Sequence, residues 1–181
     1  MADAIELVRQ RVLRASSALE RARLPFTVIG GNAVGAWVAR VDLEAVRNTK
    51  DVDLLVRRAD LPAIIVAMSQ AGFAYQNVGG LDLFLDGEGG SVRSAVHLAF
   101  ERERIHPDHP LDSPGVDENE PGPDFPIATL DALVRMKLNA FRLKDKLHLQ
   151  DLLGVGLIDA TWCDRLPAPL GDRLREVIEL E

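Results

Sequence analysis

Two hydrophobic periods alternate along the chain and predict its helices and strands. Apolar residues recur at helical spacing over 3–22 and 129–158, and short apolar runs typical of strands lie between them. The predicted strands are 26–31, 51–56, 73–78, 81–87 and 91–105. Further helices are predicted over 32–41, over 59–72 and from about Pro169 to the end. Side chains that can accept a hydrogen bond from the first turn provide the expected N-caps: Asn32, Asp60 and Thr129.

The segment 106–126 has no such period. It contains six prolines and six acidic residues, so a solvated connector is the favoured interpretation. The order of the other elements predicts an α/β (α+β) fold with a mixed sheet flanked by helices and a C-terminal helical tail. The expected organisation is an α/β core over 1–105, an acidic proline-rich loop over 106–126 and a helical region over 127–181 that packs on the core.

Composition and charge narrow the class of protein. The chain has 181 residues, 47% hydrophobic residues and a formal net charge of −7, which argues against non-specific nucleic-acid binding. Cys163 is the only cysteine, so an internal disulfide is excluded. The charged N-terminal segment does not resemble a signal peptide, and no apolar run approaches the length of a membrane span. We therefore expect a soluble cytoplasmic protein without a membrane partner.

Two acidic residues, Asp51 and Asp53, stand where an apolar strand begins. Side chains alternate across a strand, so both carboxylates project from one face, about 7 Å apart at their Cα atoms. Two carboxylates in one space repel each other and favour a cation between them. Mg²⁺ commonly takes one or two protein carboxylates together with substrate phosphates. The alternative is a pair of solvated acids at the mouth of the strand, because the Asp-x-Asp motif alone is weakly specific.

A glycine pair, Gly30-Gly31, ends the preceding strand and opens a helix. Glycines allow backbone N–H groups to approach a ligand, and a helix N-terminus favours anions. No Gly-Lys-Ser/Thr follows the pair, and its spacing is not Gly-x-Gly-x-x-Gly, which excludes the classical P-loop and dinucleotide motifs. A plain tight turn is the other interpretation. A phosphate-binding turn beside two metal-binding acids is what nucleotidyl transfer requires.

The stretch "VIGGNAVGAWVARVDLEAVRNTKDVDLLV" resembles the core motif of the DNA polymerase β-like nucleotidyltransferase superfamily. The C-terminal "LDALVRMKLNAFRLKDKLHLQDLL" resembles the helix that follows the core in small bacterial members related to the AbiEii toxins. The resemblance is close over 26–57 and 129–153 and loose between them. It implies a nucleotidyltransferase-like fold.

The resemblance also implies roles for individual residues. Asp51 and Asp53 would bind Mg²⁺ or Mn²⁺, and an NTP would be the substrate. The expected nucleotide- and phosphate-binding residues are Gly30, Gly31, Thr49, Lys50, Lys137 and Arg142.

The third acid of the superfamily is not where the pattern requires it, because Val96-His97-Leu98 replaces apolar-Asp-apolar. His97 is therefore the third catalytic candidate, since an imidazole can act as a general base near neutral pH. It is equally a structural histidine on a strand. Glu101, Asp82 and Asp86 are alternative sources of the missing carboxylate.

Two functions from different classes follow. The first is a metal-dependent nucleotidyltransferase that transfers an NMP from an NTP to a hydroxyl of a protein, an RNA end such as that of tRNA, or a small molecule. The second is a catalytically degenerate protein of the same fold, acting as a nucleotide-binding or toxin–antitoxin partner. The identity of the groups that face Asp51 and Asp53 distinguishes the two.

Overall fold

A seven-stranded mixed sheet organises the chain in the computed structural model, which describes residues 2–87 and 89–180. The helices are α1 (Ala2–Arg21), α2 (Gly30–Val38), α3 (Leu61–Gln70), α4 (Leu130–Ala140), α5 (Leu143–Gly154), α6 (Trp162–Arg165) and α7 (Ala168–Ile178). The strands are β1 (Phe26–Ile29), β2 (Val52–Val56), β3 (Phe73–Val78), β4 (Leu81–Asp86), β5 (Val96–Phe100), β6 (Asn119–Pro121) and β7 (Pro126–Ala128). Two short 3-10 turns, Arg58–Asp60 and Val92–Ser94, precede α3 and β5. The mixed sheet with flanking helices and a helical C-terminus confirms the predicted fold class.

The strand order across the sheet is β3-β4-β5-β2-β1-β7-β6. β2 runs antiparallel to β1 and parallel to β5, so the end of β1 and the starts of β2 and β5 meet at one edge of the sheet. Asp53 at this edge lies opposite Ile29 on one side and His97 on the other. The topology therefore brings the glycine pair, the two acids and the histidine together.

The main hydrophobic core joins the sheet to its helices. The fully buried side chains include Leu54 on β2, Ile127 on β7, Leu133 on α4 and Leu149 on α5. Polar contacts add to this packing: the Thr27 hydroxyl donates to the Val116 carbonyl at 2.7 Å. The segment 106–126 is thus tied to the first strand of the sheet.

The predicted segment boundaries differ from the structure at several points. The segment 106–126 contains β6 and the first residue of β7, and β7 lies parallel to β1, so part of this acidic stretch belongs to the sheet. The strand predicted over 91–105 is limited to β5, because the 3-10 turn precedes it and a turn follows Phe100. The long C-terminal helix is interrupted at Phe141, which adopts a left-handed conformation with φ of 51°. The division into core, loop and helical region stays a prediction.

One of the three expected N-caps forms. The Thr129 hydroxyl accepts a hydrogen bond from the Ala132 N–H and caps α4. Asp60 makes no side-chain cap because a 3-10 turn already precedes α3. Asn32 lies inside the first turn of α2, which begins two residues earlier than predicted. The boundary shifts because α2 follows β1 without any intervening loop.

Among the described residues, no helix is long and apolar enough to cross a membrane.

Candidate active site

The turn between β1 and α2 is built from Gly30 and Gly31. Gly30 has φ of +69°, in the left-handed region that favours glycine. A Cβ on Gly30 would lie 2.7 Å from the Asp53 Cγ, and a Cβ on Gly31 would lie 2.9 Å from the Thr49 Oγ1. Side chains at these positions would collide with the residues that face the turn. The glycines therefore allow Asp53 and Thr49 to pack directly against the first turn of α2.

Asp51 lines an open cleft of about 500 Å³, and Asp53 lies next to His97, which lines the same cleft. The residues that line the cleft include Thr49, Lys50, Asp51, Arg93, His97 and Lys144. The Lys144 ammonium lies 3.5 Å from the Asp51 Oδ2, and the Asp51 side chain retains 30% exposure. Asp51 can thus meet a ligand from solvent while a lysine partly neutralises its charge.

The position of Asp51 is held by α2. The Asn32 side-chain amide donates to the Asp51 carbonyl at 2.8 Å, so the helix that follows the glycine pair fixes the start of β2. Arg47 anchors the preceding segment by binding Asp151 of α5 through Nε at 2.7 Å and 2.9 Å.

Asp53 lies deeper than Asp51. Burial raises the pKa of its carboxyl group, while the positive charges of Lys137 and the other nearby cations oppose that effect. The repulsion between Asp51 and Asp53 raises the same pKa further. A cation bound between the two carboxylates would relieve both the repulsion and the desolvation of a negative charge.

Lys137 lies in a buried ion pair close to Asp53. Its ammonium donates to the Asp145 Oδ1 at 3.1 Å, and Arg142 donates to the Asp145 Oδ2 at 2.8 Å. Burial alone would raise the pKa of Asp145, but the hydrogen bond from Arg142 and the charge of Lys137 outweigh it and lower that pKa. Burial lowers the pKa of Lys137, against the pull of Asp145 and Asp53. Asp145 is therefore an ionised carboxylate that holds both predicted phosphate-binding cations at the start of α5.

His148 is a further residue of this site that is not among the candidates predicted from the sequence. It is only 7% exposed, and its imidazole Cε1 would lie 3.6 Å from a Cβ on Gly31. Burial and the charges of nearby Lys137 and Lys144 lower the pKa of His148 to about 4, so the ring is neutral at pH 7. Its Nδ1 is buried and has no hydrogen-bond partner among the described residues. Helical spacing is the sequence signal that could have predicted this residue. His148 follows Lys144 by four residues and Asp145 by three, so the three side chains share one face of α5.

The three alternative sources of a third carboxylate are engaged elsewhere. Glu101, beyond the far end of β5, binds Arg57 at 3.2 Å and accepts the Val116 N–H at 2.7 Å. Asp82 accepts hydrogen bonds from Tyr75 at 2.5 Å and Asn77 at 2.9 Å. Its neighbour Leu83 pairs with His97, so Asp82 projects from the opposite face of the sheet.

Asp86 lies at the other end of β4 and is bound by Arg11 and Arg14. Of the four candidates, His97 alone is adjacent to Asp53. The site thus has two carboxylates and an imidazole where the superfamily pattern has three carboxylates.

A divalent ion fits these residues only together with a substrate. Within 2–87 and 89–180, no three His, Cys, Asp or Glu side chains are grouped so that they could hold a metal ion. Asp51 and Asp53 supply two carboxylates, which is the protein share that Mg²⁺ takes when substrate phosphates and water complete its coordination. The donor set fits one ion shared with a phosphate-bearing ligand. It does not fit an ion held by the protein alone.

The fold is that of nucleotidyltransferases. Two solved structures of the nucleotidyltransferase ANT(2'')-Ia, an antibiotic-resistance factor, superimpose on nearly the whole chain. The solution structure has a TM-score of 0.54 at 17% sequence identity and covers 94% of this chain and 91% of its own. The crystal structure, in complex with adenylyl-2''-tobramycin, has a TM-score of 0.53 at 16% identity and covers 94% and 95%.

At these identities the likeness concerns the fold. No protein-family model matches the sequence, and no curated protein matches it at a significant level. The predicted superfamily is supported at the level of the fold, and the likeness to AbiEii-type toxins stays a prediction.

Proposed function

We propose that the protein is a metal-dependent nucleotidyltransferase that transfers an NMP from an NTP to a hydroxyl group. The observation that carries the proposal is the contact between Gly30 and Asp53, which sets a helix N-terminus against a carboxylate next to the cleft that Asp51 and His97 line. The first turn of α2 suits an anionic phosphate, and the carboxylates suit its counter-cation. The nucleotidyltransferase fold supports this reading of the cleft.

The chemistry is an in-line displacement at phosphorus. An acceptor oxygen forms a bond to the α-phosphorus of the NTP, the bond from that phosphorus to the β-phosphate bridging oxygen breaks, and pyrophosphate leaves. A divalent ion on Asp51 and Asp53 would stabilise charge on the attacking and leaving oxygens. The glycine turn would hold the phosphates, and Thr49, Lys137 and Arg142 would orient and neutralise them.

His97 is the proposed general base. It lies beside Asp53 and lines the cleft, which is where the acceptor hydroxyl would lose its proton. Acceptors of the proposed class are a hydroxyl of a protein, an RNA end or a small molecule, and the small bacterial, AbiEii-like type stays part of the proposal.

The test is calorimetric binding of the four NTPs with and without Mg²⁺. Wild type is compared with Asp51→Asn and Asp53→Asn, and with Asp172→Asn as a control on the exposed surface of α7. The proposal expects Mg²⁺-dependent binding that both site variants lose and the control retains. If wild type bound no NTP in either condition, the proposal would be wrong.

The second candidate is the degenerate nucleotide-binding protein, possible because His97 replaces a carboxylate beside Asp53. Both candidates bind NTP, and turnover distinguishes them. Release of pyrophosphate from bound NTP supports the transferase, provided that His97→Ala slows it. Binding without any release of pyrophosphate, across protein, RNA and small-molecule acceptors, supports the degenerate protein.

A further inference from the structure

Two basic residues without a described carboxylate partner line the cleft. Most arginine and lysine side chains among the described residues pair with an acid, as expected for a chain with net charge −7. Lys50 and Arg93 both line the cleft, and no described carboxylate lies within 4 Å of either side-chain charge. Two unneutralised cations at one opening of an acidic protein provide a local site for an anion.

The sheet topology separates these cations from the glycine turn. β2 lies between β1 and β5, and neighbouring strands are about 4.8 Å apart. The glycine turn ends β1, whereas Arg93 lies in the 3-10 turn that leads into β5. Lys50 immediately precedes the two acids of β2. The glycine turn therefore lies on the β1 side of Asp51 and Asp53, and Arg93 with His97 lies on the β5 side.

In-line displacement assigns these two sides to different substrates. The attacking hydroxyl and the leaving pyrophosphate lie on opposite sides of the α-phosphorus. If the triphosphate follows the glycine turn, pyrophosphate leaves toward β1 and the acceptor enters from the β5 side. The acceptor then meets Arg93, Lys50 and the proposed base His97.

We propose that the acceptor carries phosphate near its reactive hydroxyl, and that Lys50 and Arg93 bind this phosphate. The inference rests on the proposed function, whose acceptor class it narrows to anionic hydroxyl compounds. A guanidinium can bind phosphate through two parallel hydrogen bonds, and an ammonium adds a point charge. The phosphate can belong to the end of an RNA chain or to a phosphorylated small molecule, and the two sources are separated in the test.

The reaction leaves the acceptor phosphate unchanged. The new bond joins the acceptor oxygen to the α-phosphorus, pyrophosphate is released, and the hydroxyl proton passes to His97. Lys50 and Arg93 are thus binding residues for the acceptor, and their loss should raise the KM for the acceptor more than it lowers kcat.

The experiment measures NTP binding first and acceptor binding second. Protein saturated with a non-hydrolysable NTP analogue and Mg²⁺ is titrated with a short single-stranded RNA, glucose 6-phosphate, unphosphorylated glucose and the polyamine sugar tobramycin. The variants are Lys50→Gln, Arg93→Gln and the double variant. Arg21→Gln is the matched control, because Arg21 is exposed and ends α1, which leads to the start of β1 at the opposite edge of the sheet.

We expect at least one phosphate-bearing probe to bind and the double variant to bind it about tenfold more weakly or worse. The NTP affinity of Arg93→Gln, and both affinities of the Arg21→Gln control, should change by less than about twofold. Binding of RNA alone assigns the phosphate to a nucleic-acid end, whereas binding of glucose 6-phosphate but not glucose assigns it to a small molecule. Transfer of labelled NMP to the bound probe gives the KM and kcat comparison.

Two outcomes overturn the inference while the proposed function stands. In one, the protein binds NTP but binds the phosphorylated and unphosphorylated probes with equal affinity, or prefers tobramycin. The other is a double variant that retains full affinity for the phosphate-bearing probe. Failure of wild type to bind any NTP overturns both the inference and the proposed function.

Discussion

The substitution Gly30→Ala tests the contact between the glycine turn and Asp53 most directly. Gly30 has φ of +69°, and an alanine in the left-handed region costs about 1–2 kcal/mol. The added Cβ would also lie 2.7 Å from the Asp53 Cγ, so the carboxylate or the turn must move. Forcing extra atoms into packed space costs about 1–3 kcal/mol. We therefore expect Gly30→Ala to lower the free energy of unfolding by about 2–5 kcal/mol.

Gly79→Ala is the matched control for backbone strain. Gly79 has φ of +61° in the turn between β3 and β4, and no atom lies within 4 Å of a Cβ placed there. Gly79→Ala should lower the free energy of unfolding by only about 1–2 kcal/mol, the cost of an alanine in the left-handed conformation. Any gain from the lower entropy of alanine in the unfolded chain is common to both variants and cancels in their difference.

The assay is equilibrium denaturation by urea, with the free energy of unfolding extrapolated to water for wild type and both variants. Gly30→Ala should be about 1–3 kcal/mol less stable than Gly79→Ala. Equal losses in the two variants would refute the claim that the Asp53 carboxylate occupies the space beside Gly30. An m-value equal to that of wild type shows that each variant exposes the same amount of surface on unfolding, so the free energies can be compared.

Three further predictions concern stability. Asp145→Ala should lower the free energy of unfolding by about 3–5 kcal/mol because it removes the carboxylate that pairs with the buried Lys137 ammonium, whereas Asp131→Ala, which breaks an exposed ion pair, should lower it by less than about 1 kcal/mol; similar losses would contradict the buried pair. The folded-state pKa of His148 lies below its ordinary value of 6.5, so the unfolded chain binds the proton first as pH falls. Between pH 7 and pH 4, the free energy of unfolding should therefore fall further in wild type than in His148→Gln, by about 3 kcal/mol. Parallel pH profiles of the two proteins would refute the burial of a neutral ring. Thr129→Ala should lower the free energy of unfolding by about 1 kcal/mol through loss of the α4 cap, and an unchanged denaturation midpoint would contradict it.

Local sequence patterns predicted the centre of the site better than its surroundings. The glycine pair follows an apolar strand, and Asp51 and Asp53 begin the next one, so alternation and turn chemistry sufficed to place them together. His97 was singled out because the family resemblance expects an acid at its position, and the structure pairs it with Asp53. These features depend on residues close in sequence or on the regular pairing of strands.

Features set by distant contacts could not be predicted in the same way. β7 has three residues within a proline-rich stretch, and its strand conformation depends on pairing with β1. The break between α4 and α5 falls at Phe141, a residue without the conformational signal of glycine. His148 lies between Leu147 and Leu149 on a helix that also carries several charged residues, and the packing of α5 on the glycine turn buries it.

The parallel pairing of Val28 in β1 with Ile127 in β7 has a consequence during synthesis of the chain. About 100 residues separate the two strands, so β1 emerges from the ribosome long before its neighbour exists. At about 5–20 residues per second, one edge of β1 stays uncovered for about 5–20 seconds. An uncovered edge is a template for pairing with other chains. The nascent protein should therefore be most prone to aggregation, and most in need of a chaperone, in the interval before residue 128 is made.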